Sequence, residues 1–441
     1  MRCEPTIRRV AELVQRYLDR IRAEQTGVTD GALASYIPEL TRVDPNGFGL
    51  SLSLADGFVY ESGDTSVEFT IQSISKPFTY ALALHSIGEA AVDAKMGVEP
   101  SGEAFNEISV DRTTKIPKNP MINAGAIAAV SLVPGATPDE RFGLIQEFYS
   151  AFAGRRLELD LDVYRSEKET GSRNRAIAYM LQSFGVLDGD PDEVLDVYFR
   201  QCSFNVTSTD LARMAATLAR GGMNPMTGRR VTDAAVVKRT LSVMVTCGMY
   251  DAAGDWVSAV GMPAKSGVGG GIVAVLPGQL GIGTYSPLLD AKGNSVRGVH
   301  TCRSLSEQLG LHFLSVARDS RATLRAVYEP RDNVRVYETH GDLLFCGAEQ
   351  VVRTVDRDRE RDAFDVAILD VSRVDDIDDA ARALLSELSA ELRAQGKDGY
   401  LVDPDGIVIR TEPGFEAVRY ISVEDAVAAA EESLREGFST S

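Results

Sequence analysis

Cysteine, histidine and tryptophan are scarce in this 441-residue sequence, which holds five Cys, four His and one Trp. The cysteines (Cys3, Cys202, Cys247, Cys302 and Cys346) are odd in number, far apart and without a Cys-x-x-Cys pair. They read as reduced thiols of a cytoplasmic protein, and neither a disulfide framework nor a metal site is expected. No apolar run approaches the ~18 residues needed to cross a membrane. The opening Met1-Arg-Cys-Glu-Pro-Thr-Ile-Arg-Arg9 leads to Glu12, Arg16, Asp19 and Arg20, so no apolar signal segment is expected either. Basic charge is also short. The 46 Lys and Arg against 64 Asp and Glu leave a net charge of −18, which argues against nucleic acid and anionic membrane as partners.

What is present suits globular protein: 44% of residues are hydrophobic, and the length allows two or three domains. The charge is uneven. Residues 321–441 carry 27 acidic and 15 basic side chains, a net of −12, which points to a separate acidic C-terminal module.

The stretch Phe69-Thr-Ile-Gln72-Ser73-Ile-Ser-Lys76-Pro-Phe78 reads as an extended segment turning into a helix, with Ser73 at the junction. Ser73 and Lys76, three apart, then share one helix face and can share a hydrogen bond. A buried lysine of lowered pKa can take the proton of a serine, and the helix N-terminus favours an oxyanion. Ser-x-x-Lys is short, and alone it would mark only a capped amphipathic helix. Its partner is Lys265-Ser266-Gly267 within Pro263–Gly271, leading into the apolar run Ile272–Leu276. Serine acyl-transfer enzymes of the penicillin-recognising kind pair these two motifs.

Along the chain, Val10, Leu13, Val14, Tyr17, Leu18 and Ile21 make one stripe of a helix from Ile7 to about Ala23. A short helical turn from Gly31 is stopped by Pro38, and its Tyr36 faces a cavity or fills the core. Phe48–Leu54 and Phe58–Tyr60 form a hairpin, and Val67–Ile71 is a third strand that delivers Ser73. Asn119-Pro-Met-Ile-Asn123 opens a small-residue helix, where Asn123 is either a cap or a substrate ligand. Helices are expected at about 137–152, 174–184, 190–201, 207–220, 233–245 and 304–316, with Glu167 in a loop before Asn174. Trp256–Val260, Gly271–Leu276 and Leu280–Thr284 are read as strands. Strands, an inserted helical block and a return to strands is α+β logic.

By extent and order of motif, residues 1–317 resemble the serine-dependent glutaminase family, related in fold to β-lactamases and transpeptidases. The matching stretches are Tyr36-Ile-Pro-Glu-Leu, Gln72-Ser-Ile-Ser-Lys, Asn119-Pro-Met-Ile-Asn-Ala-Gly-Ala-Ile, Glu167 through Asn174, Tyr198-Phe-Arg-Gln-Cys-Ser, Cys247-Gly-Met-Tyr-Asp, Pro263-Ala-Lys-Ser-Gly-Val and Gly293-Asn-Ser-Val-Arg-Gly. The resemblance implies an α+β fold, an antiparallel sheet with an inserted helical subdomain, in a homo-oligomer (dimer or tetramer). It implies hydrolysis of L-glutamine to L-glutamate and ammonia with no cofactor or metal. Ser73 takes the place of the nucleophile, Lys76 of its base, and Tyr250 of a proton carrier. Tyr36, Ser73, Asn123, Glu167, Asn174, Tyr198, Tyr250 and Val268 fall at substrate-binding positions. Two readings from other classes stay open: a penicillin-recognising esterase or peptidase, and an inactive binding scaffold.

After a linker at 318–333, residues 334–441 resemble a small α/β STAS domain, as in anti-sigma-factor antagonists and sulfate transporters. One departure matters: Asp378-Asp379-Ala380-Ala381 replaces the Asp-Ser-Ser-Gly of the phosphorylated members, so the phosphate acceptor is missing.

Overall fold

The structure, a computed structural model, describes residues 12–101, 110–314, 323–408 and 417–439. The start of the expected N-terminal helix (7–11), linker residues 318–322 and the end of the expected 304–316 helix lie outside them. The chain divides into two compact units. One is Leu18–Glu307 with Leu311–Leu314, and the other is mostly the chain after residue 322. The first turns of the helix Glu12–Thr26, as far as Tyr17, group with the second unit, a boundary that one continuous helical stripe cannot reveal.

In the first unit, strands β1 (Gly49–Leu54) and β2 (Val59–Gly63) form the expected hairpin. β3 (Phe69–Thr70) pairs with β4 (Asn205–Val206) in a ribbon of its own, so the serine is not delivered by the main sheet. β5 (Ala264–Ser266), β6 (Gly271–Leu276) and β7 (Leu280–Tyr285) complete an antiparallel sheet of order β2-β1-β7-β6-β5. Every residue of β1, β6 and β7 is buried, because both faces of the sheet are covered. On one face the helix Ser208–Ala219 runs so near β7 that a Cβ on Gly283 would lie 2.0 Å from the Ser208 carbonyl oxygen. Thr284 points to the opposite face, where it meets Gly298 of the helix Val296–Leu309.

The helical block lies between β3 and β4 in sequence and packs around Asn123–Ser131, whose Ala124–Val130 are all buried. Phe78 anchors the helix Ser75–Ile87 against Tyr149 and Phe152, with ring centroids at 5.8 and 5.2 Å. Burying a side chain of that size contributes about 1.5–3 kcal/mol.

Several expectations are corrected. Glu167 is on a helix, Leu161–Thr170, which Asp160 caps by accepting from the N–H groups of Asp162 and Val163. Trp256 lies in the helix Ala253–Ala259 rather than opening a strand, and its Nε1 donates to the Met262 carbonyl at 2.7 Å. Pro38 starts a 3-10 helix (Pro38–Arg42) instead of stopping one, since proline's missing N–H is unneeded in a first turn. The last helix of the unit begins at Val296, eight residues early.

In the second unit, β8 (Leu324–Arg331), β9 (Val334–Leu343), β10 (Val366–Ile377), β11 (Asp398–Val402) and β12 (Val418–Tyr420) form a sheet of order β12-β11-β10-β9-β8. β8 falls inside the stretch read as linker. It is paired antiparallel to β9, while β9 through β12 run parallel. Helices Phe345–Glu360, Asp379–Ala394 and Val423–Ser439 accompany it. Asp378 joins two helix starts, its carboxylate accepting from Ala381 N at 2.7 Å and Phe345 N at 3.1 Å. That cap explains an aspartate at 378 with no phosphate chemistry beside it.

Candidate active site

Ser73 is the middle residue of a 3-10 turn, Gln72–Ile74, that runs directly into the helix Ser75–Ile87. The expected strand-to-helix junction is therefore sharper than anticipated, and Gln72 passes through it with φ of 50°. The glycines after Lys265 let the loop 267–271 lie against this turn. A Cβ on Gly269 would stand 2.4 Å from the Thr70 carbonyl oxygen, so only glycine allows the approach.

The turn floors a cavity of about 320 Å³. Tyr36, Ser73, Asn123, Glu167, Asn174, Tyr198, Tyr250 and Val268 all line it, so the eight positions expected to bind substrate come together. Tyr36 sits at the rim, 55% exposed, and Tyr198 is buried in the wall. Lys76 lies behind that lining, 1% exposed, and donates from Nζ to Asn123 Oδ1 at 2.6 Å. Asn123 passes the polarity on, its Nδ2 donating to Asn174 Oδ1 at 3.0 Å. Asn123 is thus no cap, and the helix Asn123–Ser131 has no side-chain cap bond at its start.

The Ser73 hydroxyl lies beside Tyr250 in this lining and holds the phenol's pKa down against burial. Tyr250 Oη donates its own proton to the Ser266 carbonyl at 3.1 Å, which leaves the phenol oxygen to accept from the serine. The expected direct bond between Ser73 and Lys76 is not among the hydrogen bonds of the described residues, and the amine donates to Asn123 instead. Lys265 Nζ reaches the same Ser266 carbonyl at 2.7 Å and lies 3.9 Å from the centre of the Tyr250 ring.

Burial sets the protonation of the site. It lowers Lys76 to about 8 against the pull of nearby acidic groups. It raises Glu167 to about 7, opposed by a hydrogen bond from Gln72 and by Lys76. Tyr250 is pushed up to about 12 by burial, and Lys265 well below its ordinary value, again by burial with Lys76 adding to it. Two ionisable groups poised near neutrality thus share one cavity with a serine.

Three residues had no role assigned from sequence. Gln72 lines the cavity and holds down the pKa of Glu167, Cys202 lines it as a thiol raised to about 12 by burial, and Lys265 backs Tyr250. Gln72 and Lys265 both sit inside the motifs already singled out. A larger cavity of about 450 Å³ lies behind Tyr250, mostly apolar, among Met121, Ile122, Val245 and Val257. It contains neither Ser73 nor Lys76, so the chemistry belongs to the smaller one. Among the described residues no group of three His, Cys, Asp or Glu side chains could hold a metal ion, and no helix is long and apolar enough to cross a membrane.

An antiparallel sheet covered by helices, with a polar cavity lined by a half-buried serine in front of a buried lysine, and an α/β appendage, defines an α+β enzyme class. The sequence model of the glutaminase family matches residues 31–314, and that of the STAS domain matches residues 325–430. The chain belongs to the glutaminase family and carries a STAS domain. It is 43% identical over 411 residues to the glutaminase of Corynebacterium efficiens, covering 92% of this chain and 95% of that one. Glutaminase 2 of Bradyrhizobium diazoefficiens is 48% identical over 394 residues, 85% of this chain, and the match spans 63% of that longer protein. The crystal structure of Mglu superposes with a TM-score of 0.68 at 44% identity, covering 89% of this chain and 99% of Mglu.

Proposed function

We propose that the chain hydrolyses L-glutamine to L-glutamate and ammonia through a glutamyl ester on Ser73. The observation that carries this reading is the meeting of Ser73, a carboxylate and three amide or hydroxyl donors around one cavity sized for a small molecule. Glu167 pairs with the α-ammonium of the substrate, and Asn123, Asn174 and Tyr198 donate to its α-carboxylate. Ser73 Oγ attacks the side-chain amide carbon, and its proton passes to Lys76 Nζ. The backbone N–H groups of Ser73 and Val268 receive the oxyanion. Collapse breaks the carbon–nitrogen bond as the amine takes a proton and leaves as ammonia. Water then attacks the ester, its proton is taken up, and glutamate is released with Ser73 regenerated. Neither a metal nor a cofactor has a step in this sequence.

The closeness of Ser73 and Tyr250 in the cavity lining supports a second assignment for one step, in which Tyr250 rather than Lys76 hands the proton to departing ammonia. In this reading residues 1–317 carry the chemistry and residues 334–441 are an accessory module. The four described cysteines are free thiols, in keeping with a cytoplasmic setting, and a homo-oligomer follows from the family resemblance. The test is mass spectrometry of enzyme quenched in acid during turnover of glutamine. A glutamyl adduct on the peptide containing Ser73 is expected, and release of ammonia at full rate with no adduct in a rapid-quench series would point to direct attack by water.

A further inference from the structure

We infer that Ser75 is a positioning residue for the nucleophile, holding Gln72 in its left-handed conformation and so fixing where the Gln72 amide and the Ser73 hydroxyl point. The inference rests on Ser73 being the nucleophile. Gln72 has φ of 50°, which residues other than glycine rarely keep without support from their surroundings. Its carbonyl oxygen accepts twice from Ser75, from the backbone N–H and from Oγ at 2.7 Å. The Ser75 hydroxyl therefore does not cap its own helix, whose start carries no side-chain cap bond, but reaches back across the turn.

Ser75 is itself held. Its carbonyl accepts from Tyr149 Oη at 2.7 Å, and Thr79 Oγ1 stands 2.5 Å from that phenol oxygen and 2.5 Å from Gln201 Oε1. Cys202 Sγ lies 3.9 Å from Ser75 Oγ, and burial keeps that thiol protonated and able to donate. Ser75, Thr79, Tyr149 and Gln201 are fully or almost fully buried and none of them lines the cavity. They tie the turn to the helices Pro138–Ala153 and Pro191–Cys202, the second of which also carries Tyr198. On the other side of the turn, the Gln72 amide donates to Thr70 Oγ1 at 3.2 Å, and the same side chain lines the cavity beside Glu167, whose pKa it holds down. The network thus sets the nucleophile and the carboxylate against one buried frame.

The test compares Ser75→Ala and Tyr149→Phe, each in the full chain and each also combined with Gln72→Gly, by kcat, KM and melting temperature. Ser75→Ala is expected to lower kcat by about tenfold to a hundredfold while KM moves less, as a small misplacement of a nucleophile does. Glycine enters the left-handed region unaided, so in the Gln72→Gly background the further loss from Ser75→Ala should shrink to about threefold or less. A folded Ser75→Ala with kcat within about twofold of the parent overturns the inference, and so does an equal loss in both backgrounds, which marks plain packing. Should Ser75→Ala fail to fold, Tyr149→Phe, which removes one oxygen, carries the same comparison. Ser73→Ala is run alongside: turnover there would show that the nucleophile was misassigned, whereas an inactive Ser73→Ala beside an unimpaired Ser75→Ala overturns the positioning role alone.

Discussion

Lys76 Nζ stands 2.6 Å from Asn123 Oδ1, so the amine assigned as base is gripped by the amide assigned to substrate. The pair joins recognition to proton transfer, and protonation of the site should therefore show in its pH dependence. Glu167 must be ionised to pair with an ammonium, and it ionises as pH rises through about 7. Lys76 must be neutral to take a proton, and it becomes so as pH rises through about 8. Both requirements fail on the acid side. The profile of kcat/KM, which reports the free enzyme, should rise with two ionisations and fall with a slope of about two below about pH 6.5. Glu167→Gln should leave a single limb near 8 and raise KM by about tenfold to a hundredfold, the worth of a charge-assisted hydrogen bond. An acid limb unchanged in Glu167→Gln would remove that carboxylate from the binding role.

Gly269 tests the meeting of the two motifs. A methyl group there would lie 2.4 Å from Thr70 O, so Gly269→Ala must push the loop off the serine turn. A loss of about 1–3 kcal/mol in stability is expected, with kcat reduced. Gly254→Ala, where a Cβ meets nothing within 4 Å, should change stability by less than about 0.5 kcal/mol. Equal melting curves for both variants would contradict the tight approach.

Removal of the second unit should spare the chemistry. Every residue given a role lies at or before Val268, and the C-terminal sheet has a core of its own in Val334, Val336, Val366, Ile368 and Val402. Truncation after Ala317 is expected to leave glutamine hydrolysis with kcat changed by less than about threefold, with effects confined to stability or assembly. A folded truncation that has lost turnover would bring the STAS domain into the active enzyme.

The net charge of −18 favours hydration in concentrated salt. Activity is expected to persist in molar sodium chloride, and the measurement is initial rate against salt. Loss of most activity within the first about 0.2 M, where surface charge is already largely screened, would contradict it.

Much of the site was legible in the sequence because motifs preserve spacing. Ser73 and Lys76, the Lys265 triplet and the loop glycines lie together as their pairing implied. What escaped was decided by partners far along the chain. β3 pairs with Asn205–Val206, about 135 residues on, and nothing in Phe69–Thr70 encodes that. Trp256-Val-Ser-Ala-Val260 alternates like a strand, yet its indole bonds Met262 and the segment coils. Glu167 carried a readable signal, since Asp160 two residues before Asp162 is a helix cap. The left-handed Gln72 had none, because glutamine is an ordinary residue and only its surroundings hold it there.

The most direct test of the account is ammonia release from L-glutamine by purified protein, with Ser73→Ala measured beside it for both turnover and glutamine binding. Hydrolysis by the parent is expected, with a loss of at least about a thousandfold in Ser73→Ala and glutamine still bound by that variant through Glu167, Asn174 and Tyr198. Turnover by Ser73→Ala within about tenfold of the parent would contradict it.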